Sequence, residues 1–191
     1  MKEVYALADL KNWKAKGKTP IGLGVVGDPV AHSLSPQMQN AALENCGLPM
    51  RFARFQIGAD ELQEALKLLP KLNFIGVNLT VPHKVAALNL VDEADETVRQ
   101  IGAVNTIKIE NGKLHGFNTD GKGFSRAIRE EFSVDLRDLR VLLLGAGGAA
   151  RAIAWECARE NCERLVIANR DLEKAKLLAG ELRPFFGEAR V

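Results

Sequence analysis

The sequence is short of the residues that make metal centres and covalent cross-links. It has three cysteines (Cys46, Cys157, Cys162) and three histidines (His32, His83, His115). The odd cysteine count, without ligand-like spacing, speaks against a disulfide framework and for reduced thiols in a cytoplasmic protein. The histidines do not pair at metal-site spacings, so no metal is expected. Charge of one sign is also scarce. Against 24 Asp and Glu stand 26 Lys and Arg, a formal +2, which is too little for the basic field that nucleic acid requires. No apolar run approaches the ~20 residues needed to cross a bilayer, and Met1-Lys2-Glu3-Val4-Tyr5 lacks the apolar core of a signal peptide. What remains, at 47% hydrophobic and 26% charged in 191 residues, is an ordinary globular composition with room for one large or two small domains.

Residues 1–20 are polar and basic, with Val4, Leu7, Leu10 and Trp13 at helical spacing. They predict a short leading helix or an extension packed on the body. Gly22–Gly27 is a short apolar run bounded by glycines, as in a buried parallel strand. A helix is expected from Pro36 to Cys46, with Ser35 as its N-cap and Gly47 just beyond its end. Phe52–Ile57 reads as a strand, and Asp60 as the cap of a helix ending near Pro70. A third strand (Phe74, Ile75, Val77, Leu79) runs into a helix starting near Pro82. Lys84 falls in its first turn, where its charge opposes the helix macrodipole by a few tenths of a kcal/mol. Residues 93–101 are expected to be helical, closed by Gly102. Val104–Ile109 and Leu114–Phe117 form a hairpin across Asn111-Gly112, and Gly121–Phe132 is a further helix. This alternation argues for an α/β class with a mostly parallel sheet and the hairpin as its antiparallel edge.

The pattern restarts at Leu139. An apolar strand (Leu139–Leu144) runs into Gly145-Ala146-Gly147-Gly148-Ala149-Ala150 and a helix through Ala158. A strand (Leu165–Ala168) and a helix (Leu172–Leu182) follow. This is the first β-α-β of a dinucleotide-binding domain. Domains run about 100–150 residues, so residues 139–191 are expected to hold only the first half of one.

Six features of the sequence carry chemistry. Gly145-x-Gly147-x-x-Ala150 between strand and helix is the setting in which a glycine loop receives a pyrophosphate. An NAD site normally has an acidic residue about 20 positions on. Here Asn169 and Arg170 occupy the end of the next strand, with Lys174 beyond. A cation there attracts a 2′-phosphate, which favours NADP, while Asp171 counts against it. Ser33 and Ser35 sit at i and i+2 before a helix N-terminus, where a small carboxylate would accept from both hydroxyls. Asn78, Thr80 and Lys84 gather at one strand-to-helix corner, at the edge where α/β sheets bind ligands. Asn105 is an amide inside an apolar strand and needs a polar partner. Asp120 opens a helix and is either its cap or a working carboxylate.

Five of these segments occur together and in order: Ser33-Leu34-Ser35-Pro36, Asn78-Leu79-Thr80-Val81-Pro82-His83-Lys84, Gly102-Ala103-Val104-Asn105-Thr106, Asn118-Thr119-Asp120-Gly121 and Gly145-Ala146-Gly147-Gly148-Ala149-Ala150-Arg151. Jointly they resemble the shikimate dehydrogenase family over residues 22–191. The resemblance implies NADP-linked interconversion of 3-dehydroshikimate and shikimate, in aromatic amino-acid synthesis. It implies substrate contacts from Ser33, Ser35, Asn78, Thr80, Lys84, Asn105 and Asp120, with Lys84 and Asp120 as the catalytic pair. It also implies cofactor contacts from Gly145, Ala146, Gly147, Gly148, Ala149, Asn169, Arg170 and Lys174. The organisation expected is an extension over 1–20, a substrate-binding catalytic domain over 21–120, a connecting helix and linker over 121–138, and part of a Rossmann domain over 139–191. A monomer or homodimer working on small molecules in the cytoplasm is expected. The alternatives are a relative acting on quinate, with NAD or both cofactors, and a non-catalytic shikimate sensor. A folate-linked dehydrogenase of related architecture would leave the serine pair unexplained.

Overall fold

The computed structural model describes residues 2–13 and 20–186. The chain divides into two compact units, Met1–Val98 with Val104–Phe117, and Arg99–Ala103 with Asn118–Val191.

In the first unit the chain order is β1 (Val4–Ala6), α1 (Leu7–Lys11), β2 (Ile21–Gly27), α2 (Ser35–Asn45), β3 (Arg51–Gln56), α3 (Leu62–Leu68), β4 (Gly76–Leu79), α4 (His83–Ala86) and β5 (Glu93–Ala94). Helix α5 (Glu96–Ile101) leads on to β6 (Thr106–Glu110) and β7 (Lys113–Phe117). The seven strands lie in the order β1-β3-β2-β4-β6-β7-β5. Pairing is parallel from β1 through β4 and antiparallel at β4–β6 and β6–β7. Successive strand residues face opposite ways, and both faces of the sheet are covered. Val26, Phe55, Val77 and Leu79 join one cluster with Leu62 and Leu66 of α3. Val25 and Phe52 join another with Leu43 of α2. Helix α2 stops as expected at Gly47, whose φ is +65°. Leu48 N–H bonds to Leu43 C=O and Gly47 N–H to Glu44 C=O, the pair of bonds that closes a helix on a left-handed residue.

In the second unit α6 (Asp120–Phe132), β8 (Arg140–Leu144), α7 (Gly148–Arg159), β9 (Arg164–Ala168) and α8 (Leu172–Phe186) follow one another. Strands β8 and β9 pair in parallel. Leu165, Leu178 and Leu182 are fully buried in its core, with Cys157 and Cys162 beside them. Helix α7 closes on Asn161 at φ +55°, with Cys162 N–H donating to Cys157 C=O at 2.9 Å and Asn161 N–H to Ala158 C=O at 3.1 Å. Cys157 and Cys162 thus hold the two positions whose side chains meet in such a cap. Burial, and then the neighbouring Cys162, push the Cys157 thiol up to about 12, so it is held as a thiol and packs as a small apolar group.

Several expectations are corrected. Residues 4–6 are an edge strand paired with β3, and the helix spans only 7–11, because β3 offers an open backbone edge to this apolar start. Residues 93–94 are likewise a strand beside β7, so the hairpin is not the edge of the sheet. The N-caps of α2, α3 and α6 are Leu34, Glu61 and Thr119, not Ser35, Asp60 and Asp120. Serine and aspartate near a helix start satisfy backbone donors from several positions, so the sequence alone misplaces them by one. Helix α4 has four residues before a turn of 3-10 helix, too short to give Lys84 a macrodipole to oppose. Residues 187–191, the end of the expected Rossmann segment, lie outside the described residues.

Candidate functional site

The carboxyl ends of β2 and β4 lie side by side, and Thr80 N–H donates to Val26 C=O. Here Gly27 is required by close approach, since a Cβ would come within 2.3 Å of Thr80 Cγ2. The turn into α4 is fixed by His83. Its backbone N–H donates to Thr80 C=O, and its buried ring donates from Nε2 to Ile57 C=O at 2.8 Å. Burial holds the imidazole below its usual range, so the ring acts as a neutral staple. Lys84, half-buried, follows directly, and its C=O accepts Val104 N–H at 2.8 Å.

That bond brings α4 beside Asn105, which precedes β6 instead of lying within it. Asn105 is 7% exposed and its amide oxygen accepts from Thr106 Oγ1 at 2.9 Å. Thr106 Oγ1 in turn accepts from Asn78 Nδ2 at 3.0 Å. The partner that a buried Asn105 requires is therefore a hydroxyl relay to Asn78. Asn78, Thr80, Lys84 and Asn105 stand together at one end of the sheet. Ser33 and Ser35 follow the end of β2 on the α2 side. Ser33 Oγ accepts Ser35 N–H at 3.3 Å, so Ser33, not Ser35, serves the helix start, and its O–H remains to donate. The Ser33 carbonyl accepts two bonds from Arg54, at 2.9 and 2.7 Å.

In the second unit Asn118 holds the entry to α6. Its amide nitrogen donates to Ala103 C=O at 2.8 Å and its oxygen accepts Asp120 N–H at 3.0 Å. Asn118, one residue before the Thr119 N-cap, thus supplies the side-chain acceptor at the start of α6. At the end of β8, Gly145 has φ +121°, a value that excludes side chains, and its N–H donates to Ala168 C=O at 2.7 Å. This sets the glycine turn, from Gly145 through Ala149, beside Asn169 and Arg170. A Cβ added at Gly145 or Gly147 would meet nothing within 4 Å, so the approach to the N-terminus of α7 is open. No acidic residue stands in that helix's first turn. Arg170 is exposed. Asp171, counted above as an unfavourable neighbour, accepts from Lys174 N–H and pairs with its ammonium at 3.3 Å. Those bonds hold its carboxyl below the usual range. Lys174 therefore answers Asp171, and Arg170 is an exposed cation at this strand end.

Three residues that these expectations did not assign stand out. His83 fixes the corner. Arg151 donates to Ile101 C=O at 2.6 Å and pairs with Glu181 at 2.5 Å, tying the end of α5 to α7 and α8. Arg54 grips the serine loop, and its signal in the sequence was a cation between apolar strand residues.

Two family patterns match: "Shikimate dehydrogenase substrate binding domain" over residues 25–107 and "Shikimate / quinate 5-dehydrogenase" over residues 126–187. The NADP(+) shikimate dehydrogenase of Methanopyrus kandleri is 46% identical over 165 residues, 86% of this chain and 57% of that protein. The crystal structure of shikimate 5-dehydrogenase from Thermus thermophilus in complex with NADP(H) and shikimate aligns with a TM-score of 0.77 at 40% identity, over 85% of this chain and 60% of that one. The ligand-free 5-ketofructose reductase of a Gluconobacter strain aligns at 0.75 and 38% identity, over 88% and 60%. The chain thus spans little more than half the length of the relatives it matches. At these identities and over this much of its own length, the chain belongs to the shikimate dehydrogenase family.

Proposed function

We propose that the protein interconverts 3-dehydroshikimate and shikimate with NADP, in aromatic amino-acid biosynthesis. The observation that carries this reading is the gathering of Asn78, Thr80, Lys84 and Asn105 at the carboxyl edge of the first unit, beside the Ser33–Ser35 loop. The substrate carboxylate would be held by the two serine hydroxyls, and the ring hydroxyls by the Asn78–Thr106–Asn105 relay and Thr80.

Reduction of a ketone leaves negative charge on oxygen, and a positioned proton donor relieves it, typically by 10²–10⁴-fold. Lys84 is that donor, on a corner stapled by His83. Asp120 is proposed to orient the reacting hydroxyl and to share the proton with Lys84. The residues of the second unit fit NADP. The open glycine turn from Gly145 through Ala149 suits a pyrophosphate, and Asn169 and Arg170 suit a 2′-phosphate, with Lys174 adding positive charge behind Asp171. When bound, the cofactor supplies the hydride. Small molecules are the proposed partners, of a cytoplasmic monomer or homodimer. Among the described residues no helix is long and apolar enough to cross a membrane.

Lys84→Ala tests the reading. kcat is expected to fall at least about 100-fold with KM changed little. An unchanged kcat with a raised KM would make Lys84 a binding residue only. The quinate alternative is kept open by the second family pattern, which names both acids. Steady-state rates with shikimate and quinate, each with NADP and NAD, separate the two.

A further inference from the structure

We propose that Arg54 is a positioning and specificity residue of the serine loop, selecting a carboxylate over a neutral group at that subsite. The inference rests on the proposed binding of the substrate carboxylate by Ser33 and Ser35. Arg54 lies on β3, on the face it shares with Phe52 and turns to α2. Asn40 holds α2 to the same strand through bonds of its own. The Asn40 amide donates to Phe52 C=O at 3.0 Å and accepts Phe52 N–H at 2.9 Å.

Arg54 reaches further along the helix, to the loop. Nε and Nη2 both donate to the Ser33 carbonyl, and Nη2 also reaches Gln37 Oε1 at 2.9 Å. A guanidinium in this grip does two things. It fixes the Ser33 peptide, and so the direction of the Ser33 hydroxyl, which a lone neutral donor would do less firmly. It also adds a full positive charge to the partial charge of the α2 N-terminus, at the carbonyl of Ser33 and two residues before Ser35. The two fields act in the same direction on an anion and leave a neutral ester nearly unaffected.

The test is calorimetric titration of shikimate and of its methyl ester into the wild-type protein, Arg54→Gln, Arg54→Lys and Ser33→Ala, with thermal melts to establish folding. Arg54→Gln is expected to weaken shikimate roughly tenfold and the ester less than about twofold. Arg54→Lys, which keeps the charge without the fork, should recover most of the shikimate affinity. Arg54 is half-buried between Val4 of β1 and Val25 of β2, so Gln and Lys, which keep a long side chain there, replace it with the least loss of packing. If Ser33→Ala weakens shikimate but Arg54→Gln does not, Arg54 has no such role. If Arg54→Gln weakens acid and ester alike, it is a prop without charge selectivity, and the proposal fails. If the wild type does not bind shikimate, or Ser33→Ala binds it unchanged, the underlying subsite reading falls and takes this inference with it.

Discussion

Strand β2 of the first unit and strand β8 of the second read alike in sequence, as short apolar runs ending at glycine. Their surroundings differ. In β2, Val25 and Val26 face opposite ways and are 3% and 2% exposed, each within its own cluster. In β8, Val141 and Leu143 pack on the core, while Leu142 and Leu144 are 64% and 77% exposed. Val166 of β9 adds to the same open face. An apolar run therefore states that both faces of a strand can be covered. How many are covered depends on how many elements the surrounding fold supplies. The first unit surrounds its sheet with helices on two sides. The second, among the described residues, buries one side of two strands beneath α6, α7 and α8.

The comparison can be broken at its cores. Phe55→Ala, at a fully buried ring in contact with Tyr5, Trp13 and Phe74, is expected to cost about 3–5 kcal/mol. Hydrogen exchange should show the loss in strands β1 to β4 and leave α7 and α8 protected. Leu178→Ala should show the reverse pattern at about 2–5 kcal/mol. A loss spread evenly over both units in either variant would show that they unfold as one.

Alkali should act on the second unit first. The Cys157 thiol is raised from its ordinary 9.0 to about 12 in the fold, so the folded state keeps a proton that the unfolded state releases. Its contribution to stability is complete below pH 9 and is lost as pH rises from 9 to 12. The slope at its steepest is about 1.4 kcal/mol per pH unit. Denaturant midpoints across this range should fall in the wild type and flatten in Cys157→Ala. Equal slopes in both would sink the assignment.

Gly121→Ala probes how α6 seats on α7. A Cβ there would lie 2.7 Å from the Ala152 carbonyl oxygen, so the helices must part, at about 1–3 kcal/mol. A neutral result in chemical denaturation would show that this contact yields readily. The smallest effect is expected at the open face, where Leu144→Thr should change stability by less than about 0.5 kcal/mol. A loss of 2 kcal/mol or more would reveal that something covers β8 in solution.

Much of this was legible beforehand. Gly47 ended α2, Asn111-Gly112 made the hairpin, and the glycine turn followed a strand and opened a helix, because each depends on a few adjacent residues and their φ angles. The caps were misread by a residue, since Ser33 and Asn118 reach forward past the positions that composition favours. Strands β1 and β5 were missed because a two- or three-residue strand has no period of its own and exists only beside β3 or β7. Arg54 and His83 were not assigned for a related reason: their partners, Ser33 and Ile57, lie 21 and 26 positions away.

The sequence by itself determined the α/β class, the order of most elements, the motif segments and the family to which they belong. These follow from local periodicity, turn chemistry and residue types at fixed spacing. Only the tertiary structure decided which hydroxyl serves the α2 start, that Asn105 is satisfied through Thr106 and Asn78, that Lys174 answers Asp171, and which apolar faces are covered. Each of those is a choice among several partners of similar chemistry. The choice is made by distances between segments far apart in the chain, which packing of the whole unit sets and no short stretch of residues encodes.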